Sequence, residues 1–514
     1  MICRWGARPL LLALLSVTGL SSGWVSLQAG QASVTSDGAA NGRRLIDAAK
    51  AGNRDAVRLL LKQRVAVNLA EVDGTTALHW AVRAGDLETV RLLLQAGANV
   101  KAANRYGVTP LTLAATNGDA ATIEALLKAG ADPNTALPEG ETALMTAART
   151  GSVQALKALA AHGADVNAKE RWLEETALMW AVAENHPAAA KALIDLGADV
   201  NARSAPSAFP RASPAAENLI TMTFPQGRWT PLMFAARQGS SESARILAEA
   251  KADLNLTNPD GTTATVLAII NGHYDVADLL LDKGADPNIA DSTGMGALYA
   301  AIDMRTLPWM QGRPAPKPSG QLEPLDIVKK LLARGADPNA PLKKPLLQRQ
   351  HTVGDPLLNE GTTPFIRAAR FGDVTVMRLL LEHGANAHLT QKNHTTALMI
   401  AAMLGSDRAT DEFYQDKATE AGAIEAIKVC LERGVDVNAF NDVGDTALHR
   451  ASGDSIIRFL ASRGAELNFK NKLRKAPLDV ALDRKDRNGG LRYPKAVAAL
   501  RELTNGRAAT KDAP

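Results

Sequence analysis

One five-residue phrase, GADVN, stands at 163–167 and returns at 197–201, and variants such as GADPN, GVDVN and GAELN recur along the chain. Aligned on the fifth residue, the copies fall at Asn68, Lys101, Asn134, Asn167, Asn201, Asn255, Asn288, Asn339, His388, Asn438 and Asn468. The successive steps are 33, 33, 33, 34, 54, 33, 51, 49, 50 and 30 residues. A fixed period of this size marks a solenoid, in which one supersecondary unit is stacked on the next. The steps of 49, 50, 51 and 54 residues read as the same unit carrying an insertion. A chain of 514 residues would otherwise suggest several globular domains. A solenoid needs no such division, because it grows by adding units without enlarging a single core.

The fullest unit, NRYGVTPLTLAATNGDAATIEALLKAGADPN, begins at Asn104. Gly107 suits a tight turn, Thr109 suits a helix N-cap, and Pro110 fits the first helical turn. LTLAA then makes a short helix with small residues, ended by Asn117-Gly118. In the second helix Ile123, Ala125, Leu126 and Leu127 form a broad apolar face. Gly130 ends that helix in the left-handed conformation, and Asp132 and Asn134 turn the chain into the next unit. The phrase is therefore a helix stop followed by a turn, and it recurs because every unit reverses at the same point.

These residues resemble the ankyrin repeat, whose period and T-P-L-H-x-A box they share. Versions of the box are TALHWA (76–81), TPLTLA (109–114), TALMTA (142–147), TALMWA (176–181), TPLMFA (230–235), TPFIRA (363–368), TALMIA (396–401) and TALHRA (446–451). The resemblance runs from Arg43 to Leu503 and implies an all-α solenoid of about twelve helix-turn-helix units with short hairpin fingers. The sequence departs from the pattern where Ala replaces Pro in most boxes. The box His survives only as His79 and His449, with Met in several of the other boxes. Arg43–Asn68 and the stretch after Asn468 read as capping units.

The solenoid is assigned to 43–505, with insertions at 202–228, 303–324, 340–361 and 404–422. The first and third lengthen connections on the finger side, and the second and fourth separate the two helices of one unit on the opposite edge. Such surface connections carry function or neutral variation. Residues 1–32 have the layout of a secretory signal: Arg4 and Arg8, an apolar run from Pro9 to Leu20, then small residues with cleavage near Ala29 or Ala32. This predicts an exported protein, periplasmic or secreted, with an uncleaved anchor as the alternative. Residues 33–42 and 506–514 are expected to be loose.

Cys430 would be the one thiol of the mature chain, and in AIKVCLERG it takes a Leu position on a packed helix, so no internal disulfide is expected. P-loop, GxGxxG, GxSxG, HExxH, EF-hand and CxxC signatures are absent. His162 and His383 fall at helix C-termini, and His383, His388 and His394 match no standard zinc spacing. The Asn255-Leu256-Thr257 and Asn393-His394-Thr395 acceptor patterns read as chance matches. No cofactor, metal or nucleic acid is expected, and a formal charge of +4 without a basic run agrees. The rival reading, a hydrolase-type enzyme, would need a site in the inserted loops, around His351 or Asp411.

The positive expectation is a monomeric protein-binding scaffold. In the family the resemblance points to, finger tips and the first helices line a concave groove that takes protein partners. Carried onto this chain, Arg105, Tyr106, Trp172, Trp229 and Met295 fall on fingers, and Arg149, Arg237, Arg370 and Phe371 near the ends of first helices. Aromatic residues and Arg dominate interface hot spots, and aromatic residues make up only 4% of this chain. Trp80 and Trp180 take a box position assigned to the core. A second function within the same class is an envelope accessory or protective factor for an exported enzyme.

Overall fold

The computed structural model describes residues 36–207, 226–306, 309–310, 316–345, 355, 357–403, 414–415, 419–485 and 489–511. The expected signal segment lies outside these residues, as do His351 and Asp411. Among the described residues the chain forms twelve helical pairs, from Ser36–Lys50 with Arg54–Lys62 to Pro477–Asp483 with Pro494–Lys511. Among the described residues each helix packs chiefly on its own partner and on the helices of adjacent pairs. The core is one apolar seam running from Leu45 to Leu500 rather than a central ball. No helix among the described residues is long and apolar enough to cross a membrane.

The local chemistry of the unit follows from the repeated residues. The box threonine caps the first helix: Thr142 Oγ1 accepts from Met145 N at 3.3 Å, and Thr109, Thr176, Thr230, Thr263, Thr363 and Thr396 act in the same way. In the helix Ala143–Thr150, Ala143, Leu144, Met145, Ala147 and Ala148 are all buried, so small side chains let neighbouring first helices approach closely. Where the box keeps histidine, the ring joins two units. His79 Nδ1 lies 2.8 Å from Thr76 Oγ1, and its Nε2 lies 3.1 Å from the carbonyl of Val108 in the next unit. His449 repeats the arrangement with Thr446 and Lys475.

The pentapeptide does more than turn the chain. Gly163 adopts φ +89°, as the helix stop requires. The closing asparagine then bonds to the following unit: Asn134 donates to Gly163 O at 3.0 Å and accepts from Asp165 N at 2.7 Å. Asn68, Asn167, Asn288, Asn339 and Asn438 make the same pair of bonds one unit further on. A ladder of side-chain amides thus holds the turns in register. Lys101 has no amide to offer, and the rung from that turn is missing.

Fingers are joined tip to tip by backbone bonds, such as Arg105 N to Asp73 O and Arg171 N to Glu139 O, both 2.8 Å. Gly140, at φ +90°, sits where a Cβ would come 2.8 Å from Arg171 N, so that close approach needs glycine. At the two ends of the 202–228 insertion, Pro206–Ser207 runs antiparallel to Gln226–Gly227.

Two expectations about the ends need correction. Helix Ser36–Lys50 occupies most of the segment expected to be loose, because buried Leu45, Ile46 and Ala49 fix one turn and a nucleated helix extends at little further cost. The last helix likewise runs to Lys511, held by buried Ala496, Val497 and Leu500 and by the Arg458–Glu502 ion pair at 2.6 Å.

Candidate protein-binding groove

In each first helix the apolar stripe is set by the second, third and sixth box residues; in TALHWA these are Ala77, Leu78 and Ala81, all buried. The fifth box residue lies off that stripe. Its row through the stack reads Trp80, Leu113, Thr146, Trp180, Phe234, Leu267, Ala300, Arg367, Ile400 and Arg450. Trp80, Leu113, Trp180 and Phe234 are half-buried, whereas Ala300, Arg367 and Ile400 are buried. The row is thus open to solvent over much of its first half and closed in the middle of its second.

Closure comes from the insertions. Trp309–Met310 pairs antiparallel with Tyr414–Gln415, so the intra-unit insertions of the eighth and tenth pairs join across the ninth. Beside this clasp Arg305 bonds Asp373 at 2.7 Å, and Arg367, 1% exposed, bonds Asp303 Oδ1 at 2.7 Å and Thr306 Oγ1 at 3.0 Å. From the finger side, Asp355 of the 340–361 insertion reaches Arg370 at 2.7 Å. Tyr299 is buried in the same layer, and its hydroxyl has no hydrogen-bond partner.

This geometry corrects two of the expected groove residues. Arg370 is 3% and Phe371 7% exposed; Phe371 lies under the guanidinium groups of Arg367 and Arg370, at 4.2 and 4.9 Å. Both belong to the closed layer: Arg370 is drawn in by its ion pair with Asp355, and Phe371 is covered by the paired Arg367 and Arg370. Met295 is half-buried and packs on the core.

The other expected residues are exposed or half-buried. Tyr106, 51% exposed, carries Arg105 over its ring at 4.7 Å on a fingertip. Trp172 is 68% exposed on the finger before Thr176. Trp229 meets Phe234 edge-on at 5.4 Å, with Arg237 over its ring at 5.2 Å. Arg149 lies 5.4 Å from the Trp180 ring and pairs with Glu141 at 3.4 Å. Trp80 and Trp180, assigned to the core from sequence, pack against it but remain half-buried rather than fully enclosed. The signal was present: the fifth box residue breaks the apolar periodicity of its helix.

Charges are set into this aromatic floor. Lys50 Nζ sits 4.3 Å from the Trp80 ring and 4.0 Å from Glu71, whose other oxygen accepts Trp80 Nε1 at 2.8 Å. Glu170 accepts the backbone N–H groups of Trp172, Leu173 and Glu175. Burial, helped by the Glu170 charge, pushes Glu175 up to about 7. The Trp180 indole lies close enough to Glu175 to favour its ionised form slightly, yet its Nε1 makes no hydrogen bond of proper geometry.

The remaining candidates for chemistry have structural partners. His383 Nδ1 lies 2.9 Å from Leu379 O, His388 Nε2 3.0 Å from Arg433 O, and His394 Nδ1 2.6 Å from Asp442. His162 meets Glu124 at 3.2 Å. No metal-holding group of His, Cys, Asp and Glu occurs among the described residues. Cys430 is buried, and burial pushes its thiol up to about 12, away from reactivity. Asn255 Oδ1 accepts from Asp286 N at 2.9 Å, and Asn393 Oδ1 from Thr395 N at 3.1 Å.

Comparison with known proteins agrees with this architecture. A family model described as ankyrin repeats in three copies matches residues 45–137, 113–204, 212–291 and 321–417, more than half the chain, and a second ankyrin-repeat model matches 415–460. The ankyrin repeat protein YahD of Escherichia coli K12 is 27% identical over 183 residues, which are 34% of this chain and 89% of YahD. The E3 ubiquitin-protein ligase KEG of Arabidopsis thaliana is 25% identical over 282 residues, 49% of this chain but only 16% of that protein. An ankyrin repeat-containing protein of Treponema pallidum is 39% identical over 69 residues, 13% of this chain and 23% of that one. Of these three relatives, the chain spans most of YahD and a minor part of the others. The crystal structure of the human ASB11 ankyrin repeat domain matches with 28% identity and a TM-score of 0.39, covering 47% of this chain and 98% of that one.

Proposed function

The chain belongs to the ankyrin-repeat family, and from that premise we propose that it is a non-catalytic scaffold that binds a protein partner in the open first half of its groove. The observation that carries this reading is the change along the fifth-residue row, from half-buried Trp80, Trp180 and Phe234 to buried Arg367 and Ile400. Half-buried aromatic residues backed by arginines are the anchors that interfaces use, while the closed segment offers no such surface. Ankyrin repeats generally mediate protein–protein interaction, and function is argued from a site rather than from the fold.

The test is partner capture by the intact protein. Replacing Trp180 and Trp229 by alanine should abolish capture from an envelope fraction while leaving the helical circular dichroism unchanged. Replacing Ile246 and Arg245 on a second helix should leave capture intact. Retention by the tryptophan double variant would defeat the groove assignment.

The reading extends to an exported, monomeric scaffold serving another envelope protein, supported by the signal-like layout of residues 1–32. A mature protein beginning beyond Ala29 or Ala32, measured by intact mass after expression with its leader, supports export. An unprocessed chain in the cytosolic fraction would overturn it.

A further inference from the structure

The fingertips form a row of their own. Each finger offers a backbone carbonyl to the next at one fixed place, filled by Asp73 toward Arg105 and by Glu139 toward Arg171. At the end of the stack that place is filled by Val443, whose carbonyl accepts Lys472 N at 3.0 Å, and then by Leu473. Val443 is 51% and Leu473 70% exposed. Exposed Phe440, on the same finger as Val443, leans on Phe469 of the next at 5.9 Å.

Charge separates these apolar tips from the earlier ones. Val72 stands between Glu71 and Asp73, and Trp172 is two residues from both Glu170 and Glu174. The last finger has the opposite sign. The chain has no unbroken basic run, but residues 469–475, FKNKLRK, interleave four cations with Phe and Leu and include no acid. Lys475 is held by Asp483, whereas Lys470, Lys472 and Arg474 are exposed. The acid of the preceding tip, Asp442, bonds His394 Nδ1 at 2.6 Å. Arg474 also holds φ +58° at the finger position where Gly140 and Gly444 stand, so this cation sits on the tip at a cost in backbone strain.

We propose that the last two fingers, through Val443, Leu473, Lys470, Lys472 and Arg474, dock on an anionic phospholipid surface. This is a second binding surface, separate from the groove. Charge complementarity selects an anionic partner, and the form of the patch selects a membrane. Aliphatic side chains at the tips of projecting turns can enter the boundary between headgroups and acyl chains, while neighbouring Lys and Arg heads stay at the phosphates. Adjacent tips bonded backbone to backbone carry these residues side by side. Two of the three exposed cations are lysines, which protein interfaces under-use and which suit a diffuse layer of charge. Apolar contact and a basic cluster are the two signals that peripheral membrane binding combines.

The probe is vesicles, either an equimolar mixture of phosphatidylcholine and phosphatidylglycerol or phosphatidylcholine alone, floated on a density gradient with the intact protein. Every variant keeps residues 1–32, so any contribution of that apolar segment is common to all. The protein should rise with the mixed vesicles and stay largely behind with the neutral ones. Replacing Lys470 and Lys472 by Ser and Arg474 by Gly should weaken partitioning roughly fivefold for each charge removed, and added salt should weaken it further. Leu473→Ser with Val443→Ser should weaken it about tenfold through lost apolar burial. A charge-matched control on second helices, with exposed Lys62, Lys128 and Lys157 replaced by Ser, should leave partitioning as it was. Helical circular dichroism should be the same for all of them. Equal affinity of the fingertip variants and the unaltered protein for mixed vesicles, or a loss matched by the control, would overturn the proposal. Binding to soluble poly-glutamate through the same cations, without binding to vesicles, would overturn it in favour of an acidic protein segment.

Discussion

Single residues set the register of this stack, and two departures from the repeated phrase make that measurable. Lys101 occupies the place where Asn134 gives two bonds to the next unit. Lys101→Asn should restore the missing rung and stabilise the protein by about 1 kcal/mol, seen as a higher urea midpoint. The reverse change, Asn134→Ala, should cost about 1–2 kcal/mol by leaving the Gly163 carbonyl and the Asp165 amide without that partner. Lys251 stands where most copies of the phrase have glycine, and it holds φ +62°. Lys251→Gly should relieve about 1 kcal/mol of left-handed strain and raise the midpoint. These positions are legible in the sequence as breaks in a pattern, but what they cost becomes clear only from the bonds the intact copies make.

Among the elements, the closed layer over the eighth to tenth pairs is the structural novelty. Arg367 is buried with Asp303, so Asp303→Asn should destabilise by about 3–5 kcal/mol through an uncompensated buried charge. The double change Asp303→Leu with Arg367→Met should recover most of that loss, because a packed apolar pair replaces the ion pair. Replacing 404–418 by a short turn removes the Trp309–Met310 pairing with Tyr414–Gln415. Amide exchange in the helix Pro364–Arg370 should then quicken, while exchange in Ala143–Thr150 stays as it was. The sequence reading placed four insertions, two on the finger side and two on the opposite edge. It held no sign that two of them meet, because strand pairing between segments about a hundred residues apart leaves no local periodicity. For the same reason Arg370 and Phe371 read as groove residues and are in fact buried.

For the whole molecule, acid should be the first stress to tell. Burial lowers the affinity of His79, His273 and His449 for a proton below the ordinary 6.5. The unfolded chain then binds more protons than the folded one, so stability is full above about 6.5 and is lost as pH falls below it. Methionine already fills the box position in Met145, Met179, Met233 and Met399. The variant His79→Met with His449→Met should therefore fold and show a shallower loss of thermal midpoint on acidification. Glu175, raised to about 7, works the other way: its folded form gains stability as pH falls from 7, so Glu175→Gln should steepen the acid loss. What the sequence determined alone is the helical solenoid, its period, its twelve units and the first-helix caps, since each depends on neighbours within about one repeat. What only the tertiary structure decided is which stretch of the concave face stays open. That depends on insertions closing over distant units, which is set by distances in space that spacing along the chain does not encode.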